Sequence, residues 1–95
     1  MSEKTSSRPI MRLLDALGQK WALRILWELR DGPMNFRHLQ ARCDDVSPTS
    51  LNRRLKELRE LGIVEHEESG FQYSPAGKVL AQQLLQLHQW ADRYL

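Results

Sequence analysis

The chain has 95 residues, of which 41% are hydrophobic and 27% are charged, and its formal net charge is +2. This length predicts one small domain, and this composition argues against a disordered chain. A single cysteine excludes an intramolecular disulfide framework, and no apolar run approaches the ~20 residues that span a bilayer. The N-terminal residues lack the apolar stretch of a signal peptide, so we expect a cytoplasmic protein without a membrane partner.

The charge is unevenly distributed along the chain. Residues 1–32 and residues 33–62 each carry six basic and four acidic side chains, whereas residues 63–95 carry two basic and four acidic ones. An anionic partner is therefore expected to contact the first two thirds of the chain.

The first half of the chain predicts three short helices after a flexible polar tail at residues 1–8. Apolar residues at helical spacing predict the first helix over residues 9–17. A second helix is expected over about Gln19–Arg30 and a third over about Asn35–Arg42, with the breaker Asp31-Gly32-Pro33 between them.

The fourth predicted helix, about residues 48–61, has the clearest start in the chain. Ser47 is a suitable cap, and Pro48 suits the first helical position. The apolar stripe of this helix consists of Leu51, Leu55, Leu58 and Leu61. We expect this helix to bury that stripe and to expose its opposite face.

The last third of the chain predicts a hairpin and a long helix. Two short strands are expected within about residues 63–73, with a turn at Glu67 to Gly70. Ser74-Pro75 then starts a last helix over residues 75–94. Two helices joined by a turn and followed by a hairpin form a winged helix-turn-helix, a mainly α fold with a small β-hairpin. We assign residues 9–95 to one such domain.

The exposed face of the 48–61 helix indicates DNA binding. With Leu51 at the centre of the buried stripe, an advance of about 100° per residue places Arg53 and Lys56 on the opposite side. Such donors suit phosphates and the base acceptors of the major groove. The candidate DNA-binding residues are Thr49, Ser50, Asn52, Arg53, Arg54 and Lys56 on this helix, with Lys20, Arg37 and Arg42 outside it. The alternative is an ordinary solvated amphipathic helix.

The stretch LDALGQKWALRILWELRDGPMNF, followed by LQARCDDVSPTSLNRRLKELRELGIVE, resembles HxlR-type winged-helix transcription regulators. The matching positions are Gly18, Lys20, Trp21, Ile25, Leu26, Gly32, Pro33, Phe36, Ser47, Pro48, Leu51, Arg54, Leu55, Leu58, Gly62, Ile63 and Val64. The resemblance covers roughly residues 10–92. It implies a homodimeric bacterial or archaeal regulator that binds double-stranded DNA.

The chain departs from that family in its wing and its cysteine. The family usually has a longer wing with a proline-containing insert, whereas here only residues 67–70 separate the strands. The wing is acidic at Glu65, Glu67 and Glu68, which leaves His66 and Gln72 as its only donors suited to DNA. Redox-sensing members carry a cysteine near the N-terminus, and this chain has none there.

The terminal helices are expected to form a two-fold homodimer interface. The last helix is apolar on more than one side, and a domain of this size has too little core to cover it. The candidate interface residues are Ile10, Leu13, Leu14, Leu17, Leu80, Leu84, Leu87, Ala91 and Tyr94. The alternative is a monomer with an amphipathic last helix.

Two other functions remain open on the sequence alone. A winged helix used as a protein-interaction module would fit the acidic wing and the modest net charge. A redox- or ligand-switched regulator would use Cys43 or an exposed Trp27, and its small-molecule effector is unknown. The histidines show no metal-ligand spacing with Cys43, and no catalytic set or phosphate-binding loop is present, so we predict no metal, no cofactor and no enzymatic activity.

Overall fold

The structure is a computed structural model that describes residues 8–95, and the predicted tail lies outside the described residues except for Arg8. The described part forms five α-helices and two strands. They are α1 (Pro9–Leu17), α2 (Ala22–Glu28), α3 (Phe36–Arg42), α4 (Pro48–Glu60), β1 (Val64–Glu67), β2 (Gly70–Tyr73) and α5 (Pro75–Tyr94). The mainly helical fold with a small antiparallel hairpin confirms the predicted winged helix-turn-helix.

Helices α4 and α5 begin where the two Ser-Pro pairs predict. The Ser47 hydroxyl accepts a hydrogen bond from the backbone N–H of Ser50 at 3.1 Å, and the Ser74 hydroxyl accepts one from Gly77 at 2.9 Å. Each proline occupies the first helical position, where no N–H partner is needed. Local capping chemistry therefore fixes the start of both helices.

The second helix begins at Ala22 rather than at about Gln19. Trp21 has a φ of 78°, in the left-handed region that interrupts an α-helix. The helix also ends early, at Glu28, and continues as a 3-10 turn over Leu29–Asp31. The apolar periodicity extends through both boundaries, so it does not reveal them.

The core lies between α2, α3, α4 and the hairpin. Leu51, Leu55 and Leu58 of α4 are buried, as their spacing predicts. The core cluster consists of Ile25, Leu26, Leu29, Met34, Leu39, Cys43, Val46, Leu51, Leu55, Leu58, Ile63, Val64 and Phe71. Helices α1 and α5 pack on this cluster through only part of their apolar surface.

The hairpin is tighter than the sequence predicts. The strands pair from Val64↔Tyr73 to Glu67↔Gly70, so only Glu68 and Ser69 form the turn. Met34 adds an isolated bridge to Phe71, with backbone hydrogen bonds of 3.0 and 2.9 Å. The wing is therefore anchored to the loop between α2 and α3.

Candidate nucleic-acid interface

The outer face of α4 exposes the polar residues that the helical spacing predicts. Thr49, Asn52, Arg53 and Lys56 are exposed, and Ser50 is half-buried beside the N-cap. No pairing of the Arg53 or Lys56 side chain with another side chain occurs among residues 8–95. Both cations therefore remain available to a negatively charged partner.

Arg54 lies on the inner flank of α4. Its guanidinium donates a hydrogen bond to the Gln19 side chain at 2.8 Å and lies 3.4 Å from a Glu57 carboxylate oxygen. Only 11% of its side chain is exposed. Arg54 thus joins α4 to the loop between α1 and α2, and it would have to leave these partners to reach DNA.

The three weaker candidates lie in different surroundings. Lys20 is exposed in the loop before α2, with its Nζ 5.9 Å from the centre of the Trp21 ring. Arg37 is exposed on α3. Arg42, at the end of α3, is half-exposed and its Nε donates to Glu28 at 3.0 Å.

Glu28 is the centre of an ion-pair network that the sequence does not predict. Its carboxylate accepts from the Nε of Arg24 at 2.9 Å and from the Nε of Arg42 at 3.0 Å. Burial alone would raise the pKa of Glu28, but the hydrogen bonds from both arginines outweigh it and lower the pKa below its ordinary value. Glu28 is therefore a carboxylate at neutral pH.

Arg24 carries this network into the turn before α4. Its terminal amino groups donate to the Arg42 carbonyl oxygen at 2.6 Å and to the Asp44 carboxylate at 3.3 Å. Asp44 and Asp45 both have left-handed φ values, 58° and 57°, which short polar residues tolerate better than most. The network thus holds a strained turn that leads into α4.

Cys43 lies inside this turn and faces the core. Its side chain is fully buried, and burial raises the pKa of the thiol. A buried thiol with a raised pKa is protonated at neutral pH and reacts slowly with oxidants. The neighbouring Arg42 does not activate Cys43, because its guanidinium turns towards Glu28.

The wing presents an acidic tip. Glu67 and Glu68 are exposed at the end of the hairpin. The His66 ring stacks on Phe71, with 4.0 Å between the ring centres, and the Gln72 amide donates to Glu65 at 3.2 Å. Both predicted wing donors are thus engaged within the hairpin.

An apolar groove separates α2 from α5. It has a volume of about 610 Å³. The Trp27 ring lies at its wall, 4.6 Å from the His88 ring and 4.0 Å from the Arg30 guanidinium. The sequence predicts an exposed Trp27 or one packed under the first helix, whereas the structure places the ring half-buried against α5.

The structure divides the predicted interface residues of the terminal helices into two groups. Leu13, Leu17, Leu80 and Leu84 pack against the core of their own chain. The exposed group consists of Ile10, Leu14, Leu87 and Tyr94, with Ala91 half-buried. Leu23, Leu85 and Trp90 add further exposed apolar surface near α5.

Comparison with known proteins agrees with this geometry. The family model described as HxlR-like helix-turn-helix matches residues 16–95. An HTH-type transcriptional regulator of Mycobacterium tuberculosis is 30% identical over the whole chain, which spans 64% of the length of that relative. The HTH-type transcriptional regulator YvaP of Bacillus subtilis is 26% identical over 88% of this chain and 84% of its own.

A solved structure matches almost the whole fold. The crystal structure of quinone-bound YodB from B. subtilis superposes with a TM-score of 0.80 at 28% sequence identity, covering 90% of this chain and 97% of that one. Within residues 8–95, every helix is too short or too polar to cross a bilayer.

Proposed function

The chain belongs to the HxlR-like helix-turn-helix family of DNA-binding transcriptional regulators, and on this premise we propose that it binds a near-palindromic operator as a homodimer. The observation that carries the proposal is the outer face of α4, where Arg53 and Lys56 project from a helix whose other face is buried. A recognition helix of this kind enters the major groove by its N-terminal half. The acidic residues Glu57 and Glu60 lie in the C-terminal half of α4, away from the bases.

The contacts divide by the type of DNA atom they suit. Arg53 and Lys56 suit base edges because they lie opposite the buried stripe, and Asn52 on the exposed flank of α4 joins them. Arg37, Arg42 and Lys20 lie outside α4 and suit phosphates, which position the domain without reading sequence. Thr49 and Ser50 at the helix start offer hydroxyls, and Arg54 joins them only if it leaves Gln19 and Glu57.

The dimer supplies the geometry for a two-part operator. The exposed apolar residues of α1 and α5 are the proposed interface, centred on Leu14 and Leu87. A two-fold axis places the recognition helices in successive major grooves, about 34 Å apart. It also doubles the cationic contacts, which a chain with a net charge of +2 needs for tight binding.

The experiment that tests this function measures the protein on duplex DNA over a range of salt. Selection from a random duplex library yields the operator, and the affinity for it is then compared with the affinity for a shuffled duplex. We expect a two-fold symmetric consensus and a steep fall in affinity with salt. A protein-interaction module would give neither a consensus nor salt-dependent binding.

Control by a small molecule is a second candidate function, favoured by the groove beside Trp27. Its volume of about 610 Å³ lies in the range of ligand sites, and its walls are mainly apolar. The similar protein YodB has been solved with quinone bound, so a quinone is the class of molecule to test. The buried Cys43 disfavours control by oxidation of this thiol.

The groove is tested with duroquinone, a fully substituted quinone that does not readily alkylate thiols. Binding at the groove should quench the tryptophan fluorescence of the wild type and of Cys43→Ala. Trp27→Phe should abolish most of that quenching, because Trp21 and Trp90 do not line the groove. Unchanged fluorescence in the wild type contradicts the ligand proposal and leaves the DNA proposal intact.

A further inference from the structure

Glu28 is the only carboxylate within residues 8–95 whose side chain contacts two arginines and is almost fully buried. Its side chain is 9% exposed, whereas those of Arg24 and Arg42 are 39% and 47% exposed. The three residues come from α2 and the end of α3, so the pairing joins the two helices directly. A buried carboxylate costs solvation free energy unless it is fully paired, and here both oxygens are paired.

The pairing with Glu28 leaves the terminal amino groups of the Arg42 guanidinium without a partner among residues 8–95. Glu28 takes only the Nε of Arg42, and the two terminal amino groups have no hydrogen-bond partner among residues 8–95. Arg24 meanwhile binds the carbonyl oxygen of Arg42. The backbone and the side chain of Arg42 are thus both held by α2, while its terminal amino groups keep donors that no group within residues 8–95 uses.

We propose that Glu28 is a positioning residue that holds Arg42 in the orientation for binding a DNA phosphate. This inference rests on the proposed function, in which Arg42 contacts the backbone. A mobile arginine loses rotamer freedom when it binds, and an arginine already held by its Nε loses less. The planar guanidinium then presents its remaining donors as a fixed fork, the geometry that matches a phosphate.

The substitution Glu28→Gln tests the proposal because it keeps the shape of the side chain and removes its charge. General electrostatics predicts that losing a negative charge strengthens DNA binding. Positioning predicts the opposite, a loss of affinity of roughly 2- to 10-fold for each bound subunit. The matched control is Asp31→Asn, which removes one exposed carboxylate just after α2 and should bind DNA as tightly as the wild type or slightly more tightly.

A double-variant cycle separates positioning from a general effect on the fold. Arg42→Gln alone should weaken binding. It should also make the fall of log K with log salt shallower, by about 0.9 in slope for each phosphate that Arg42 neutralises in the wild-type complex. Adding Glu28→Gln to Arg42→Gln should cause no further loss of affinity, because Glu28 acts through Arg42. Thermal unfolding of each variant checks that the proteins are folded at the temperature of the binding assay.

Each outcome decides one of the two proposals. If Glu28→Gln binds as tightly as the wild type, or if its loss multiplies with that of Arg42→Gln, the positioning role is overturned while the phosphate contact of Arg42 stands. If Arg42→Gln itself leaves affinity and salt slope unchanged, Arg42 does not contact DNA and the positioning role falls with it. The recognition-helix contacts of the proposed function are tested separately, through Arg53 and Lys56.

Discussion

The α-carbon of Gly77 in α5 lies against the carbonyl oxygen of Ile63, and a β-carbon at position 77 would overlap that oxygen. The oxygen cannot readily move, because it also accepts a hydrogen bond from the backbone N–H of Ser74 at 3.0 Å. The first turn of α5 is therefore seated directly on the segment that leads into the wing. This contact sets where the long helix leaves the domain.

Gly77→Ala should destabilise the protein by about 1–3 kcal/mol, because the added methyl group forces α5 and the wing apart. In an ordinary helix interior the same change stabilises the protein by roughly 0.5–1 kcal/mol. A loss of stability would therefore indicate the close contact between position 77 and the Ile63 carbonyl oxygen. Denaturant unfolding followed by circular dichroism measures the free energy. The exposed neighbour Ala76 provides the control, since Ala76→Gly should cost no more than about 1 kcal/mol. A stabilised Gly77→Ala variant would contradict the contact.

Glu28→Gln should also lower stability, in a manner that depends on pH. The pKa of Glu28 is lower in the folded protein than its ordinary value of 4.5, so its charged form stabilises the fold above that value. The stabilisation is lost as pH falls through the folded pKa, where the carboxyl group takes up a proton. We expect the variant to be less stable by about 1–2 kcal/mol at neutral pH and nearly equal to the wild type well below 4.5.

Unfolding curves of both proteins across this pH range measure the difference. Asp31→Asn is the comparison, because the Asp31 side chain is largely exposed and lies 3.9 Å from the Arg30 guanidinium, so its charge is only weakly paired. A stability difference between Glu28→Gln and the wild type that stays constant at acid pH would mean that packing, and not the charge, is responsible.

The sequence predicts the fold well where the signal is local. Ser47-Pro48 and Ser74-Pro75 place two helix starts, because a hydroxyl cap and a proline act within one turn. The leucine spacing of α4 likewise predicts which face is buried. The start of α2 is missed because the left-handed Trp21 carries no local signature such as glycine.

The candidate site is predicted only in part, because side-chain pairing depends on distant residues. The exposure of Arg53 and Lys56 follows from helical geometry alone. The pairing of Arg54 with Gln19, 35 positions away, does not, and neither does the pairing of Glu28 with Arg42. Charged residues that look equivalent in a sequence differ in the folded chain: some are exposed and available to DNA, whereas others pair with side chains of the same chain.

Arg53→Ala and Lys56→Ala should each weaken operator binding by about 1–3 kcal/mol if the residue contacts a base, and should relax the sequence preference at that position. A phosphate contact would instead weaken all duplexes alike. Fluorescence anisotropy with the selected operator and with single-base variants separates these cases. Lys78→Ala, which removes an exposed cation from α5, is the control and should bind like the wild type. If both α4 variants bind DNA as tightly as the wild type, the outer face of α4 is not the recognition surface.

Replacing Glu67 and Glu68 together by Gln should strengthen DNA binding at low salt, if the wing tip approaches the minor groove. Both side chains are exposed at the turn of the hairpin, and a carboxylate near DNA repels phosphates. The gain should disappear at high salt, where screening shortens the range of the charge. Unchanged affinity at low salt would show that the wing stands clear of DNA and that α4 docks the domain without it.

The proposed homodimer should be sensitive to the exposed apolar residues in the C-terminal part of α5. Leu87 is 63% exposed and lies on the proposed interface, whereas Val79, at 60%, is equally exposed but lies outside it. Leu87→Glu should dissociate the dimer because it places a charge in an apolar contact, and Val79→Glu should leave it intact. Sedimentation at micromolar concentration measures both variants against the wild type. We expect the wild type to sediment at twice its chain mass of 11.1 kDa, and a single 11.1 kDa species would rule out the dimer. In that case each domain would bind DNA alone, and a palindromic consensus would have no structural origin.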